Sequence, residues 1–203
     1  MKKALMAAVV MAGATAWAGQ PAKSMEPKVT VCVGPNQDEV VVTDQAQLVA
    51  DQVFAAIRVS VKWHKDARTC KSNLDHPIFI SYSRNTPKDR LPGALAYALP
   101  YEGVHIEVFY DRLAGKPSDS ARAHILGHVL AHEITHILQG VSRHSDFGVM
   151  KARWNQSELA EMERRPLKFT KFDIAVIHMG LEARTAHRAP GTTIPPAAAL
   201  DQQ

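Results

Sequence analysis

Cysteine is scarce: the 203-residue chain has only Cys32 and Cys70, and in an oxidising compartment these two would pair with each other. No block of lysine and arginine with interleaved aromatics occurs, so nucleic acid is not the implied partner. No internal repeat is present, and no apolar run downstream of the N-terminal segment reaches the length a bilayer requires, so no stable membrane span is expected. What the chain does have is 46% hydrophobic and 22% charged residues, the profile of a globular protein with a core.

The N-terminus reads as a targeting segment. Lys2 and Lys3 form a basic start, residues 4–15 an apolar stretch, and Ala16-Trp17-Ala18 a small-residue cleavage site, the order found in a secretory signal peptide. Residues 1–18 are therefore expected to be removed on export, and the protein is expected to be periplasmic or secreted. The leader holds two lysines and no acids, so its loss lowers the formal charge from +4 to +2. At the other end, residues 188–203 are rich in Pro and Ala with little to bury and are expected to form a disordered tail.

Between these ends the pattern mixes α and β. Residues 29–33 alternate like a strand, and residues 44–58 read as an amphipathic helix with Thr43 as its N-cap. Residues 59–63, 78–81, 94–99 and 105–110 read as further strands bounded by turn formers. A long helix is predicted from Ser118 to Gln139, stopped by Gly140 in a left-handed cap. Residues 141–153 read as a loop, residues 157–165 as a short charged helix, and residues 170–187 as a final helix.

The long helix carries His132-Glu133-Ile134-Thr135-His136. Two histidines four apart share one helical face, so both imidazoles can reach one zinc ion with Glu133 beside its open position. A catalytic zinc normally takes three protein ligands and keeps one site for water. Three candidates compete for the third: His144, beyond the glycine turn; Glu158 or Glu161, which would make a two-His, one-Glu site; and Asp146. Zinc would bring a bound water toward neutral pKa and polarise a carbonyl, and Glu133, free of the metal, would act as general base on that water. His124 and His128 continue the i, i+4 stripe, but each turn advances about 5.4 Å, which puts them out of reach of the same ion. They are expected to serve packing or to support the ligands. A thiolate from Cys32 capping the zinc is the rarer alternative to a disulfide.

The stretch from His132 through Gly140 and His144 to Gly148-Val149-Met150 resembles the metzincin signature, in which HExxH is followed by a glycine turn, a third histidine and a Met-turn. Here the glycine comes four residues after His136 and His144 four after the glycine, so the loop is two residues longer than in the common pattern. Residues 95–100 and 103–107 are similar to the edge strand and its neighbour in matrix-metalloproteinase-like domains. Residues 167–181, with Phe169-Thr170, Asp173-Ile174 and Ile177, resemble their C-terminal helix, in which an aspartate at the position of Asp173 braces the Met-turn.

The resemblance covers residues 90–181. It implies an α/β (α+β) zincin domain over residues 19–187, with a twisted mixed sheet, an antiparallel edge strand, an active-site helix, a Met-turn at Met150 and a C-terminal helix. The expected activity is that of a zinc-dependent endopeptidase with His132, His136 and His144 as metal ligands. A peptide or protein substrate would add to the edge strand through Ala94, Leu95, Ala96, Tyr97 and Ala98. A two-His, one-Glu peptidase and a non-catalytic metal-binding envelope protein are the rivals, and Glu133 is the residue that metal capture does not need.

Overall fold

The computed structural model describes residues 26–36, 39–71, 74, 76–88, 90–98 and 104–186. The expected leader (1–18), the tail (188–203) and the link 99–103 lie outside the described residues.

Five strands form one sheet: β1 (Lys28–Val33), β2 (Ser60–His64), β3 (Ile78–Ser83), β4 (Ala96–Ala98) and β5 (His105–Phe109), in the order β2-β1-β3-β5-β4. The first four in that order run parallel, and β4 closes the sheet antiparallel to β5. The expected mixed α/β sheet with an antiparallel edge is therefore present. Strand alternation decides which face is buried. Val29, Val31, Val33, Ile78, Ile80, Ile106 and Val108 turn to one face and belong to a single core, in register as Val31↔Ile78 and Ile80↔Ile106.

Helices α1 (Val40–Ala55) and α3 (Asp119–Gln139) supply much of the rest of that core, with Ala46, Ala50 and Phe54 from α1 and Ile125, Leu126 and Leu130 from α3. They pack closely at Gly127, where an added Cβ would stand 2.5 Å from Val49 Cβ. From Ile125 to Leu138 every residue of α3 is buried, the condition of a helix covered on all sides. No described helix is long and apolar enough to cross a membrane.

Helix α1 begins four residues earlier than its sequence suggests, with Glu39 as N-cap. Thr43 is not the cap. Its hydroxyl donates to Glu39 O at 2.9 Å and accepts from Asn36 Nδ2 at 3.3 Å, from inside the helix. The β-branched run Val40–Val42 weakens the local helix signal, and burial of Val42 overrides it. The short α2 (Ala67–Lys71) was not read from the sequence. Asp66 starts it by accepting the Thr69 N–H at 2.8 Å.

Cys70 on α2 is bonded to Cys32. Cys32 alternates with Val31 and Val33, so this bond lies on the sheet face away from α3, and the idea of a Cys32 thiolate capping a metal on α3 falls. Two further helices, α4 (Gln156–Met162) and α5 (Lys171–Ala186), follow the loop after α3. Helix α5 crosses α3 so closely that a Cβ on Gly180 would lie 1.7 Å from Leu138 O.

Candidate metal centre

Helix α3 is fixed at both ends as its sequence predicts. Ser118 Oγ accepts the Ala121 N–H at 3.1 Å, which caps the first turn. Gly140 takes φ 68° and donates its N–H to His136 O at 2.9 Å, a left-handed stop that glycine adopts at little cost. That turn swings Val141 back so that its carbonyl meets His136 Nδ1 at 3.0 Å. Val149 O meets His132 Nδ1 at 2.8 Å.

These two carbonyls set the chemistry of the pair. A carbonyl only accepts, so each Nδ1 carries the proton and each Nε2 presents a bare lone pair. The two Nε2 atoms lie 3.0 Å apart with no hydrogen available to join them. A tetrahedral zinc with bonds of about 2.0–2.1 Å holds its donors about 3.3 Å apart, so the pair suits a cation placed between its lone pairs.

His144 completes the cluster. The ligand nitrogens of His132, His136 and His144 all lie within 4.8 Å of one another, with the His144 ring centroid 5.2 Å from His132 and 4.9 Å from His136. His132 and His136 are buried, whereas His144 is exposed. Burial holds His132 down to about 3 and His136 down to about 4, and His144 is lowered for the same reason. All three are thus neutral near pH 7, the form that binds metal.

The other candidates stand elsewhere. Glu158 is engaged by Lys151 Nζ at 2.7 Å and accepts the Asn155 N–H at 2.7 Å in a capping box. Glu161 pairs with Arg165 at 2.8 Å. Among the described residues neither glutamate, nor Asp146, joins the histidine cluster.

Glu133, next in sequence to His132, is buried, and burial pushes its carboxyl up to about 7, partly offset by a hydrogen bond from the Ala98 backbone. This contact ties Glu133 to the edge strand. Phe109 N donates to Leu95 O at 2.8 Å, so Leu95 and Tyr97 turn their main-chain groups toward β5, and Ala96 and Ala98 turn theirs to the free edge. Ala94 lies before the strand, in a turn with Leu91, and its carbonyl is occupied by Arg112 Nη1. The free edge open to pairing is therefore narrower than residues 94–98, and it centres on Ala96.

The turn that carries Met150 is built on Gly148, at φ 79°, where a Cβ would come 2.1 Å from Lys168 O. Val149 N donates to that same carbonyl at 3.1 Å, and Ser145 N donates to Met150 O at 2.8 Å. Met150 is fully buried. Trp154 donates from Nε1 to Gly148 O at 3.1 Å and sets its ring edge-on to His132, 5.7 Å away, which makes a wall beside the histidine cluster. A cavity of about 810 Å³ lined by Phe147, Gly148, Phe169 and Phe172 opens next to this turn, but none of the three histidines nor Glu133 lines it. Asp173 is buried and accepts from Ser145 Oγ, Thr170 N, Thr170 Oγ1 and Arg143. Among the described residues its bonds go to the flanks of His144 and to the start of α5, and not to the backbone of the 148–150 turn, where the resemblance placed them.

Among the described residues His124 and His128 stand outside the histidine cluster. Their Nδ1 atoms bond back to the carbonyls of Ser120 and His124, at 2.8 and 2.7 Å. His128 Nε2 accepts the Leu167 N–H at 2.9 Å, which pins the segment before α5 to α3. That bond requires a neutral ring, and burial holds His128 down to about 4 from its ordinary 6.5. An unfolded chain takes up this proton first. The stabilisation is therefore complete above pH 6.5 and is lost as pH falls toward 4, a change of about 3 kcal/mol. Urea unfolding of metal-free protein at pH 7.5 and pH 4.5 should show it on top of the like-signed contributions of His132 and His136, and His128→Gln should reduce the dependence by that share. An unchanged pH slope in the variant would remove His128 from this role.

Two solved structures share the fold. One is an archaemetzincin from Methanopyrus kandleri, 16% identical over 77% of this chain and 97% of that one, with a TM-score of 0.50. The other is a zinc-dependent peptidase from Methanocorpusculum labreanum, 17% identical over 73% of this chain and 99% of that one, with a TM-score of 0.51. No family model matches the chain, and no curated protein matches it.

What the sequence does not mark are the carbonyls of Val141 and Val149, the contact of the Ala98 amide with Glu133, and the side chain of Arg143. The nearest thing to a signal is that Arg143 stands next to His144.

Proposed function

We propose that the protein is an exported zinc-dependent endopeptidase of metzincin type, with residues 19–187 as its catalytic domain and residues 1–18 as a cleaved leader. The observation that carries this reading is the meeting of three imidazoles around one point, two of them on a helix that also carries, next to the first of them, a buried carboxyl that is not one of the three. A closed structural zinc site has four protein ligands and no use for such a base. The shared fold with an archaemetzincin and a zinc-dependent peptidase supports it. The basic and apolar leader and the paired cysteines support export.

Zinc bound by His132, His136 and His144 would supply Lewis acidity toward a peptide carbonyl and acidify water. The Glu133 carboxylate takes the proton of the attacking water and returns it to the leaving amide nitrogen, and a group pushed up to about 7 is matched to both transfers near neutral pH. An extended substrate pairs with the free edge of β4 at Ala96, which lays its main chain along the strand that touches Glu133.

The test is cleavage of a broad peptide library by full-length protein loaded with zinc. Cleavage should stop with a chelator and return with added zinc, and His144→Ala should weaken zinc binding far more than Glu158→Ala or Glu161→Ala. Stoichiometric zinc without any cleavage would favour the metal-capture protein. Zinc lost from a glutamate variant and kept by His144→Ala would favour the two-His, one-Glu site.

A further inference from the structure

Two of the three histidines are held by their own rings and the third is not. His132 and His136 each donate from Nδ1 to a backbone carbonyl, the usual way a metal-binding imidazole is oriented. His144 sits on an exposed loop, and among the described residues its ring makes no hydrogen bond. Its loop is also two residues longer than the common pattern, and a longer loop gives its ring more freedom. Something other than the ring must fix its position.

Arg143 is placed to do so. Its Nη1 donates to His144 O at 3.0 Å and to Ser145 Oγ at 3.2 Å, and its Nη2 bonds to Asp173. Asp173 has no exposed surface and also accepts from Ser145 Oγ at 2.8 Å. Asp173 stands in the first turn of α5, where it also accepts from Thr170 N and Oγ1 just before the helix, at 3.0 and 2.7 Å. The guanidinium plane is steadied from its other side by Phe172, 4.5 Å from ring centroid to Cζ. The planar fork of arginine spans two acceptors at once, which an ammonium on a flexible stem does not reproduce. The main chain on both sides of His144 is thereby tied to α5.

We propose that Arg143 is a positioning residue for the third metal ligand: by joining the His144 carbonyl to the buried Asp173, it holds the His144 imidazole where the other two nitrogens converge. This rests on the three-histidine reading of the site. Loss of the fork frees the loop, so the third donor must be captured anew each time the metal binds, and the metal leaves faster.

The experiment is a double-mutant cycle on the full chain, with zinc alone as the ligand and dissociation measured by competition with a chromophoric chelator. Arg143→Gln should raise the zinc dissociation constant by about 10- to 100-fold, mostly through a faster off-rate. Arg143→Lys keeps the charge and one donor and should fall between. Arg165→Gln, which removes a guanidinium paired with Glu161 on the surface, should stay within about 2-fold of wild type. In a His144→Ala background Arg143→Gln should have no further effect, because the group it positions is gone. The visible spectrum of the cobalt-substituted protein should shift in Arg143→Gln and match that of His144→Ala more than that of wild type.

Undiminished zinc affinity in both Arg143 variants, or an effect of equal size with and without His144, would overturn the proposal and leave the peptidase reading standing. If Arg143→Gln does not fold, Arg143→Lys with and without His144→Ala decides between the same two outcomes. Wild-type protein that binds no zinc would overturn both.

Discussion

Replacing Glu133 with glutamine should leave zinc near one per chain and lower peptide hydrolysis by about 10²- to 10⁴-fold, the usual contribution of a general base. In barrier terms this is about 3–5 kcal/mol. Glutamine has the shape of glutamate and an oxygen that can still accept from the Ala98 amide, so the packing between α3 and β4 survives. It lacks the lone pair that takes a proton at neutral pH. Stability should not fall with activity. Burial pushes the carboxyl up to about 7, so above that pH the native state carries a desolvation penalty that the neutral amide avoids. Parallel measurements of metal content, initial rate and urea midpoint at pH 8 check all three parts. Retained hydrolysis in the variant would remove Glu133 from its role, and lost zinc would mean that the carboxylate is itself a ligand.

Gly180→Ala is expected to be the most damaging single methyl in the molecule. On propensity alone alanine would favour helix α5 by about 1 kcal/mol. The added Cβ would, however, lie 1.7 Å from Leu138 O, and a backbone carbonyl in the last turn of α3 cannot rotate away as a side chain can. Helix α5 would have to lift off α3, which opens the packing of Ile177 and Leu181, both buried. The expected loss is about 3–5 kcal/mol, read as a lower urea midpoint. Leu138 is two residues past His136, so zinc affinity should fall with it. A midpoint equal to or above that of wild type would show that the helices do not meet as described.

Helix α3 is legible in the sequence because its signals are local. Ser118, the four-residue spacing of the histidines and Gly140 each act within a turn or two of where they stand. The start of α1 was misplaced because Val40–Val42 look like a strand in isolation and become helical only when Val42 packs in the core. Helix α2 is too short for any period to show, and its one signal is the pair Asp66 and Thr69. His144 was one of three open choices from spacing alone. What singles it out is a loop path fixed by Val141 O, Val149 O and Asp173, the last of these 29 positions further along the chain. The edge strand was located, but which of its residues face outward depends on hydrogen-bond parity with β5, and that is set only once the two strands pair.

The bond between Cys32 and Cys70 has a consequence for where the chain can be made. Cys32 sits in β1, flanked by β2 on one side and β3 on the other, and is 3% exposed. A reductant attacking at Cys70 would have to expel the Cys32 sulfur as a thiolate inside the sheet, where burial disfavours the charge and makes it a poor leaving group. Once the sheet has closed, the bond is insulated from changes in the surrounding thiols. The same barrier works in reverse, since a chain that closes its sheet with both thiols reduced has its Cys32 out of an oxidant's reach. The linkage is therefore a lasting record of the redox conditions under which the molecule folded, carried unchanged into whatever surroundings it later works in.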